Sequence, residues 1–338
     1  MENYDKSPFY IPDPALFRKR FRVLTWHIHG SYLFYLSQGN YEICIPVKDF
    51  PEEGYYGRGE TFPFGPNVRE IHVRDLPKED FDVILFQSPK NYLHDQYEIL
   101  TEEQRKLPRI YLEHDPPRQV PTETSHPVDD PEVLLVHVTH FNCLMWNNNR
   151  TPTRVIDHGV MVPDIPYTGE KARGIVVINN LEKRGRRLGA DIFEAIRREV
   201  PVDLIGMGSD ELGLGEVRHP ELPAFISQYR FFLNPIRYTS LGLSVLEAMM
   251  LGIPVVGLAT TEMVTVIRNG VSGVLHTDVR YLIEQMKRLI REPDLAAQLG
   301  AEGKKVAAER FNIRRFTADW EETFAQVVGR FQSSAISA

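Results

Sequence analysis

Short apolar runs alternate with amphipathic or mixed stretches along almost the whole chain. In the first half the apolar runs fall at Arg22–Trp26, Tyr41–Val47, Val68–Val73, Asp82–Gln87, Arg109–Glu113, Leu134–Val138 and Arg154–Asp157. Helical or mixed segments at Ser31–Ser37, Tyr92–Lys106 and Phe141–Asn148 separate several of them. Strands alternating with helices in this way predict a parallel α/β sheet. Two stretches break the period. Lys48–Asn67 is rich in Gly, Pro and aromatic residues, and Asp115–Pro131 is rich in Pro. A long aperiodic loop such as the first reads as a functional lid or a disordered segment.

The sequence VPDIPYTGEK, residues 162–171, interrupts the alternation, which then restarts. Strands are predicted at Gly174–Ile178, Val202–Ile205 and Phe231–Asn234, with helices at Arg187–Glu199, Leu222–Gln228, Leu243–Leu251, Val279–Arg291 and Leu295–Arg310. Pro254-Val255-Val256 opens a further strand, and a helix is expected to start around Thr260-Thr261-Glu262. The last segment, Ile313–Phe331, places Phe316, Trp320, Phe324 and Val327–Val328 on one face of a helix. Two doubly wound domains are therefore expected, and the length of 338 residues fits the soft prior of about 150 residues per domain.

Ligands of open α/β sheets bind beyond the strand C-terminal ends. The most informative such place is Pro235–Leu275. A polar loop containing Thr239, Ser240 and Leu241 leads through Gly242 into the helix that begins at Leu243. Unpaired amides and the helix dipole make such an entrance an anion site. Glu247, one turn in, is placed to reach a sugar hydroxyl beside that anion. Phosphates on the amides and a ribose on the carboxylate would suit a nucleoside diphosphate. After the first strand, Gly30-Ser31 opens a helix whose amides would meet a pyrophosphate from the opposite side. His27 and His29 are two apart and point to opposite faces of an extended segment, so they do not form a metal pair.

Composition adds exclusions. Hydrophobic residues make up 42% and charged residues 25% of the chain, with a net charge of −7. That balance offers no general attraction to nucleic acid or an anionic membrane. Arg18-Lys19-Arg20 with Arg22 is a local basic cluster, read as a solvated lead-in to the first strand. Two distant cysteines, Cys44 and Cys143, read as reduced thiols. No window is long and apolar enough for a membrane span, and the N-terminus lacks a signal core, so a cytoplasmic location is expected.

The stretch Gly242-Leu243, Glu247-Ala248-Met249, Gly252, Pro254-Val255-Val256, followed by Asn269-Gly270 and Gly273-Val274-Leu275, resembles the donor-binding signature of the retaining family 4 (group 1) glycosyltransferases. The resemblance implies a GT-B fold: two facing Rossmann-like domains, residues 1–165 for the acceptor and 166–312 for the nucleotide sugar. Residues 313–338 would form a helix that crosses back onto the N-terminal domain. It implies transfer of a hexose from a UDP- or GDP-linked donor to an acceptor hydroxyl, with retention, without a cofactor or metal. The acceptor, whether a saccharide, a lipid-linked sugar or a small molecule, is not specified.

The resemblance also assigns roles. His114, in Glu113-His114-Asp115, would lie over the donor sugar. Arg184, with Lys183 as the alternative, would hold the diphosphate, and Arg186 or Arg187 would supplement it. The Gly206 and Gly208 turn would border the base, and Arg237 would contact phosphate. Two positions depart from the family pattern: Thr239 stands where the first of two Glu residues is usual, and Asn180 where an Arg is usual. These departures keep open a nucleotide-sugar-binding protein without transferase activity, and the GT-B shape keeps open a sugar-nucleotide epimerase.

Overall fold

The computed structural model describes residues 20–337. Arg18 and Lys19 of the basic cluster and the Pro-rich N-terminal segment lie outside the described residues. Among these residues twelve strands form two parallel sheets. The first comprises β1 (Arg22–Thr25), β2 (Glu42–Val47), β3 (Val68–His72), β4 (Val83–Phe86), β5 (Arg109–Glu113), β6 (Val133–His137) and β7 (Thr153–Val155). Its strand order is β3-β2-β1-β4-β5-β6-β7. The second comprises β8 (Lys171–Val177), β9 (Val202–Ile205), β10 (Tyr229–Asn234), β11 (Val255–Leu258) and β12 (Val274–His276), in the order β12-β11-β10-β8-β9.

Both orders reverse direction once, between β1 and β4 in the first sheet and between β8 and β10 in the second. The loops after those strands diverge there and open a crevice, the usual ligand position in such sheets. The central strands are largely apolar and buried; Val83–Phe86 and Val255–Leu258 have no exposed residue. Burial on both faces is what helices packed on each side of a parallel sheet require.

The structure revises five expectations. The helical or mixed segment Tyr92–Lys106 is interrupted, because Leu100 is extended and Thr101 caps a new turn through a reciprocal bond pair with Gln104. The helix predicted over Arg187–Glu199 starts only at Ala190. Gly189 adopts a left-handed conformation there, and a Cβ at that position would sit 2.0 Å from the Pro235 carbonyl oxygen. The helix after Thr260-Thr261-Glu262 is a single turn, Met263–Val266. Val274–His276, legible in the sequence only as part of a turn motif, is the edge strand β12. Lys48–Asn67 is packed rather than loose: His27 bridges to Gly54 and Val47 to Tyr56, and Phe62 stacks on Phe34 at 5.8 Å.

The closing helix, Ile313–Ser337, returns to the N-terminal domain as the apolar stripe requires. Phe316, Trp320 and Phe324 are fully buried. Phe324 meets Tyr41 edge-on, and the Trp320 indole N–H donates to the Tyr32 hydroxyl oxygen at 3.1 Å. The main apolar core is continuous across the two domains, running from Val23 and Tyr32 through Ile175 and Val245 to Trp320. Two satellite cores fill the outer face of each sheet.

Candidate functional site

The seam between the sheets brings together the loops after β1, β4, β5, β8 and β10. On the N-terminal side four rings form a shelf. His29 caps the start of the helix Gly30–Leu36, and its ring lies 4.0 Å from that of His114, which follows β5. Tyr32 meets His114 edge-on at 4.9 Å and His158 at 5.7 Å. His114 Nε2 lies 3.0 Å from Gln87 Oε1. Burial, then the neighbouring His29 and His158, hold His114 well below the usual imidazole pKa. Burial also lowers His158, to about 4. His29 is open to solvent yet walled by protein within the narrow seam, and that desolvation lowers its pKa. The shelf is therefore neutral near pH 7. His158 Nε2 reaches the Leu241 carbonyl across the seam at 3.0 Å and so ties down the loop that leads into the helix Leu243–Leu251.

On the C-terminal side, β8 runs into Asn179–Arg187. Asn180 is left-handed at φ 51°, a conformation Asn tolerates better than most residues. Its N–H donates to the Met207 carbonyl at 2.7 Å, and the Met207 N–H donates to Asn179 Oδ1 at 2.9 Å. Gly206 and Gly208 both have positive φ, and a Cβ on either would meet this loop at 2.6 Å. The glycine turn thus buttresses the loop that presents Lys183 and Arg184. Arg184 faces the seam, where partial desolvation, then the charge of Arg187, lowers its pKa; Asp115 opposes the shift and Arg118 adds to it. Arg184 and His29 feel each other's field, so the structure gathers His29, His114 and Arg184 around one crevice.

Arg237 is engaged elsewhere. It clasps Asp191 through two bonds of 2.6 and 2.8 Å and donates to the Arg186 carbonyl at 2.6 Å. That geometry braces the 184–187 turn against the helix Ala190–Arg197. Arg186 also pairs with Asp191.

After β10, the loop Pro235–Gly242 enters the nine-residue helix Leu243–Leu251 with no side-chain cap. The first backbone bond there runs from Val245 N–H to the Gly242 carbonyl at 3.1 Å, leaving the amides of Gly242, Leu243 and Ser244 as orphan donors among the described residues. Thr239 is half-buried, and Ser240 Oγ is buried without a partner among the described residues. Gly30 and Ser31 begin the facing helix across the seam.

Glu247 is buried rather than exposed, at 7% of its free surface. It accepts a 2.6 Å hydrogen bond from the Tyr35 hydroxyl of the N-terminal domain, and His219 Nε2 stands 3.7 Å away. Burial, then the Glu247 charge, push the Tyr35 phenol well above its usual range. Beside Glu247 opens a cavity of about 990 Å³ lined by Phe34, Tyr35, His219, Leu222 and Ile313. Among the described residues no three His, Cys, Asp or Glu side chains converge as a metal centre, and no helix is long and apolar enough to cross a membrane.

Residues 175–292 match the family model described as Glycosyl transferases group 1. The matched residues span most of the C-terminal domain, from β8 through the helix Val279–Arg291. A search of curated proteins finds no match to the chain. Among solved structures, the chain resembles sucrose-phosphate synthase from Thermosynechococcus elongatus at 14% identity and TM-score 0.67, over 92% of this chain and 100% of that one. It resembles Anabaena HepE in complex with UDP at 14% identity and TM-score 0.61, over 91% and 100%. It resembles TarM at 14% identity and TM-score 0.56, over 75% of this chain and 57% of that one. The architecture is GT-B.

Proposed function

With a group 1 glycosyltransferase domain on a GT-B frame as the starting point, we propose that the chain is a retaining hexosyltransferase that uses a nucleoside diphosphate sugar without a metal and works in the cytoplasm. The observation that carries this reading is the pairing, across one seam, of an uncapped helix start with Arg184 and a neutral histidine shelf. The orphan amides of Gly242, Leu243 and Ser244 face anionic oxygens, and those of Gly30 and Ser31 meet them from the other domain. HepE structures described in complex with UDP and with UDP-glucose support UDP as the first nucleotide to try.

In the proposed reaction the bond between the anomeric carbon and the leaving phosphate oxygen breaks. The acceptor oxygen bonds to the anomeric carbon on the same face, and its proton passes to the departing phosphate. Negative charge grows on that phosphate, so Arg184, with Lys183 nearby, acts mainly on the transition state. His114 and Thr239 flank the sugar, Ser240 and Leu241 form the loop beneath the phosphates, and Gly206 and Gly208 border the base. Glu247 holds the ribose once it is released from Tyr35.

That bond also favours a second reading, a nucleotide-sugar-binding protein without transfer, because the carboxylate a donor needs is already taken. The test is thermal unfolding with UDP, GDP and their hexose conjugates. Ligand binding to the folded state alone raises the melting temperature by mass action. A shift with a nucleotide diphosphate supports a donor site. No shift with any of them removes it.

A further inference from the structure

We propose that Gln87 is a positioning residue that fixes His114 as its Nε2–H tautomer and leaves Nδ1 as an acceptor for a hydroxyl of the donor sugar. The inference rests on the reading that His114 lies over that sugar. It comes from a chain of hydrogen bonds whose directions are forced one after another.

The Thr25 hydroxyl donates to the Leu85 carbonyl at 2.8 Å, so toward Gln87 it can only accept. The Gln87 amide nitrogen uses both hydrogens, one to Thr25 Oγ1 at 2.9 Å and one to the Trp26 carbonyl at 2.8 Å. A flipped amide would set its oxygen against the Trp26 carbonyl oxygen, two acceptors with no proton between them. The amide orientation is therefore determined by its partners. Gln87 Oε1, which only accepts, then faces His114 Nε2 at 3.0 Å, and that nitrogen must carry the proton.

The chain is anchored at the strand switch of the first sheet. Thr25 pairs with Leu85 across β1 and β4, and Gln87 follows directly after β4. Thr25 and Gln87 are buried at 0% and 4% exposure, so water does not compete for these bonds. His114 itself is only half-buried, whereas the Nδ1 atoms of His137 and His158 are buried without partners among the described residues. The groups around its ring are Gln87, His29, Tyr32 and His158. The Tyr32 hydroxyl oxygen is held from behind by Trp320. A neutral Nε2–H imidazole offers one lone pair, at Nδ1, and no further donor. It takes an O–H from the sugar and gives none.

The experiment is long-range ¹H–¹⁵N correlation of the histidine rings in the full chain at pH 7.5, with His114→Asn identifying the His114 signals. An unprotonated Nδ1 with a protonated Nε2 is expected in the wild type; a protonated Nδ1 overturns the proposal. Gln87→Met removes the acceptor at similar volume and should leave the two tautomers in exchange. An unchanged wild-type signature in that variant also overturns it. Gln87→Glu keeps an oxygen toward Nε2 and, as the neutral acid with its O–H donating to the Trp26 carbonyl in place of the amide N–H, should keep Nε2 protonated even if Gln87→Met does not fold; loss of that proton counts against the proposal. With UDP-glucose as donor, Gln87→Met should lower kcat roughly tenfold, what one neutral hydrogen bond is worth. Absence of UDP-glucose turnover in the wild type would count against the glycosyl-transfer reading, while the nitrogen shifts still decide the tautomer.

Discussion

The two walls of the seam are built on opposite principles. On the N-terminal wall polar groups are largely spoken for: Thr25, Gln87 and His114 form one directed chain, and Tyr32 is held by Trp320. On the C-terminal wall they are left open: the amides of Gly242–Ser244 and the Ser240 hydroxyl have no partner among the described residues. A satisfied network costs little to maintain and holds its shape, whereas unsatisfied donors are a standing cost that a ligand relieves. On the proposed reading, binding rests mainly on the C-terminal wall, joined by the Gly30 and Ser31 amides, and orientation on the N-terminal wall. Tyr35 and Glu247 are the exception, a carboxylate of the C-terminal wall satisfied from across the seam.

The largest expected effect comes from undermining the rigid wall. Trp320→Ala removes a fully buried indole and the bond to Tyr32. It should destabilise the chain by about 3–5 kcal/mol in denaturant titration, the usual cost of a large aromatic truncation. Acid should attack the same wall. Burial holds His137 and His158 at about 4, below the unfolded value near 6.5. Between those values the unfolded chain binds more protons than the folded one. Stability is thus complete above about pH 6.5 and is lost as pH falls toward 4, by up to roughly 3 kcal/mol for each ring. Flat stability from pH 7 to pH 4.5 would show that the rings are not sealed.

On the open wall, Arg184→Ala should lower kcat by about 10²-fold or more while leaving the melting temperature nearly unchanged. Arg237→Ala should spare kcat by comparison, since its guanidinium is spent on Asp191. The reverse ranking would exchange their roles. A smaller effect is expected at the exception. Glu247→Ala should weaken nucleotide binding by roughly 1–3 kcal/mol, the worth of a charged hydrogen bond. Tyr35→Phe should tighten it by up to about 1.5 kcal/mol, because the carboxylate is then left without its phenol partner before the ligand arrives. Calorimetric titration of UDP and GDP against both variants separates the two signs.

The least effect is expected at Thr239, whose hydroxyl carries no charge. Thr239→Glu should alter the relative rates of glucose and galactose donors without abolishing transfer. Identical donor ratios would place Thr239 away from the sugar.

Much of the fold was legible because buried parallel strands leave uninterrupted apolar runs; β5 and β9 fall on the boundaries the pattern predicts. What was not legible depended on backbone conformation or on distance along the chain. The left-handed Gly189 and the cap at Thr101 cut helices that periodicity alone would continue. Three-residue β12 is too short to show a period. At the site, the helix start at Leu243 and the cations near Arg184 are local features, and local sequence carries them. Gln87 with His114, His158 with Leu241, and Tyr35 with Glu247 are 27, 83 and 212 residues apart. No spacing rule connects such pairs, and a buried Tyr reads in sequence as core.

The most direct test of glycosyl transfer needs no known acceptor. The chain is incubated with α-linked nucleotide sugars, UDP-glucose first, and ¹H NMR follows the first sugar released to water or to an added alcohol. The account predicts slow release of the nucleoside diphosphate with the α-anomer appearing before mutarotation, and loss of that release in Arg184→Ala. Initial appearance of the β-anomer would contradict retention, and no release from any donor that binds would contradict catalysis itself.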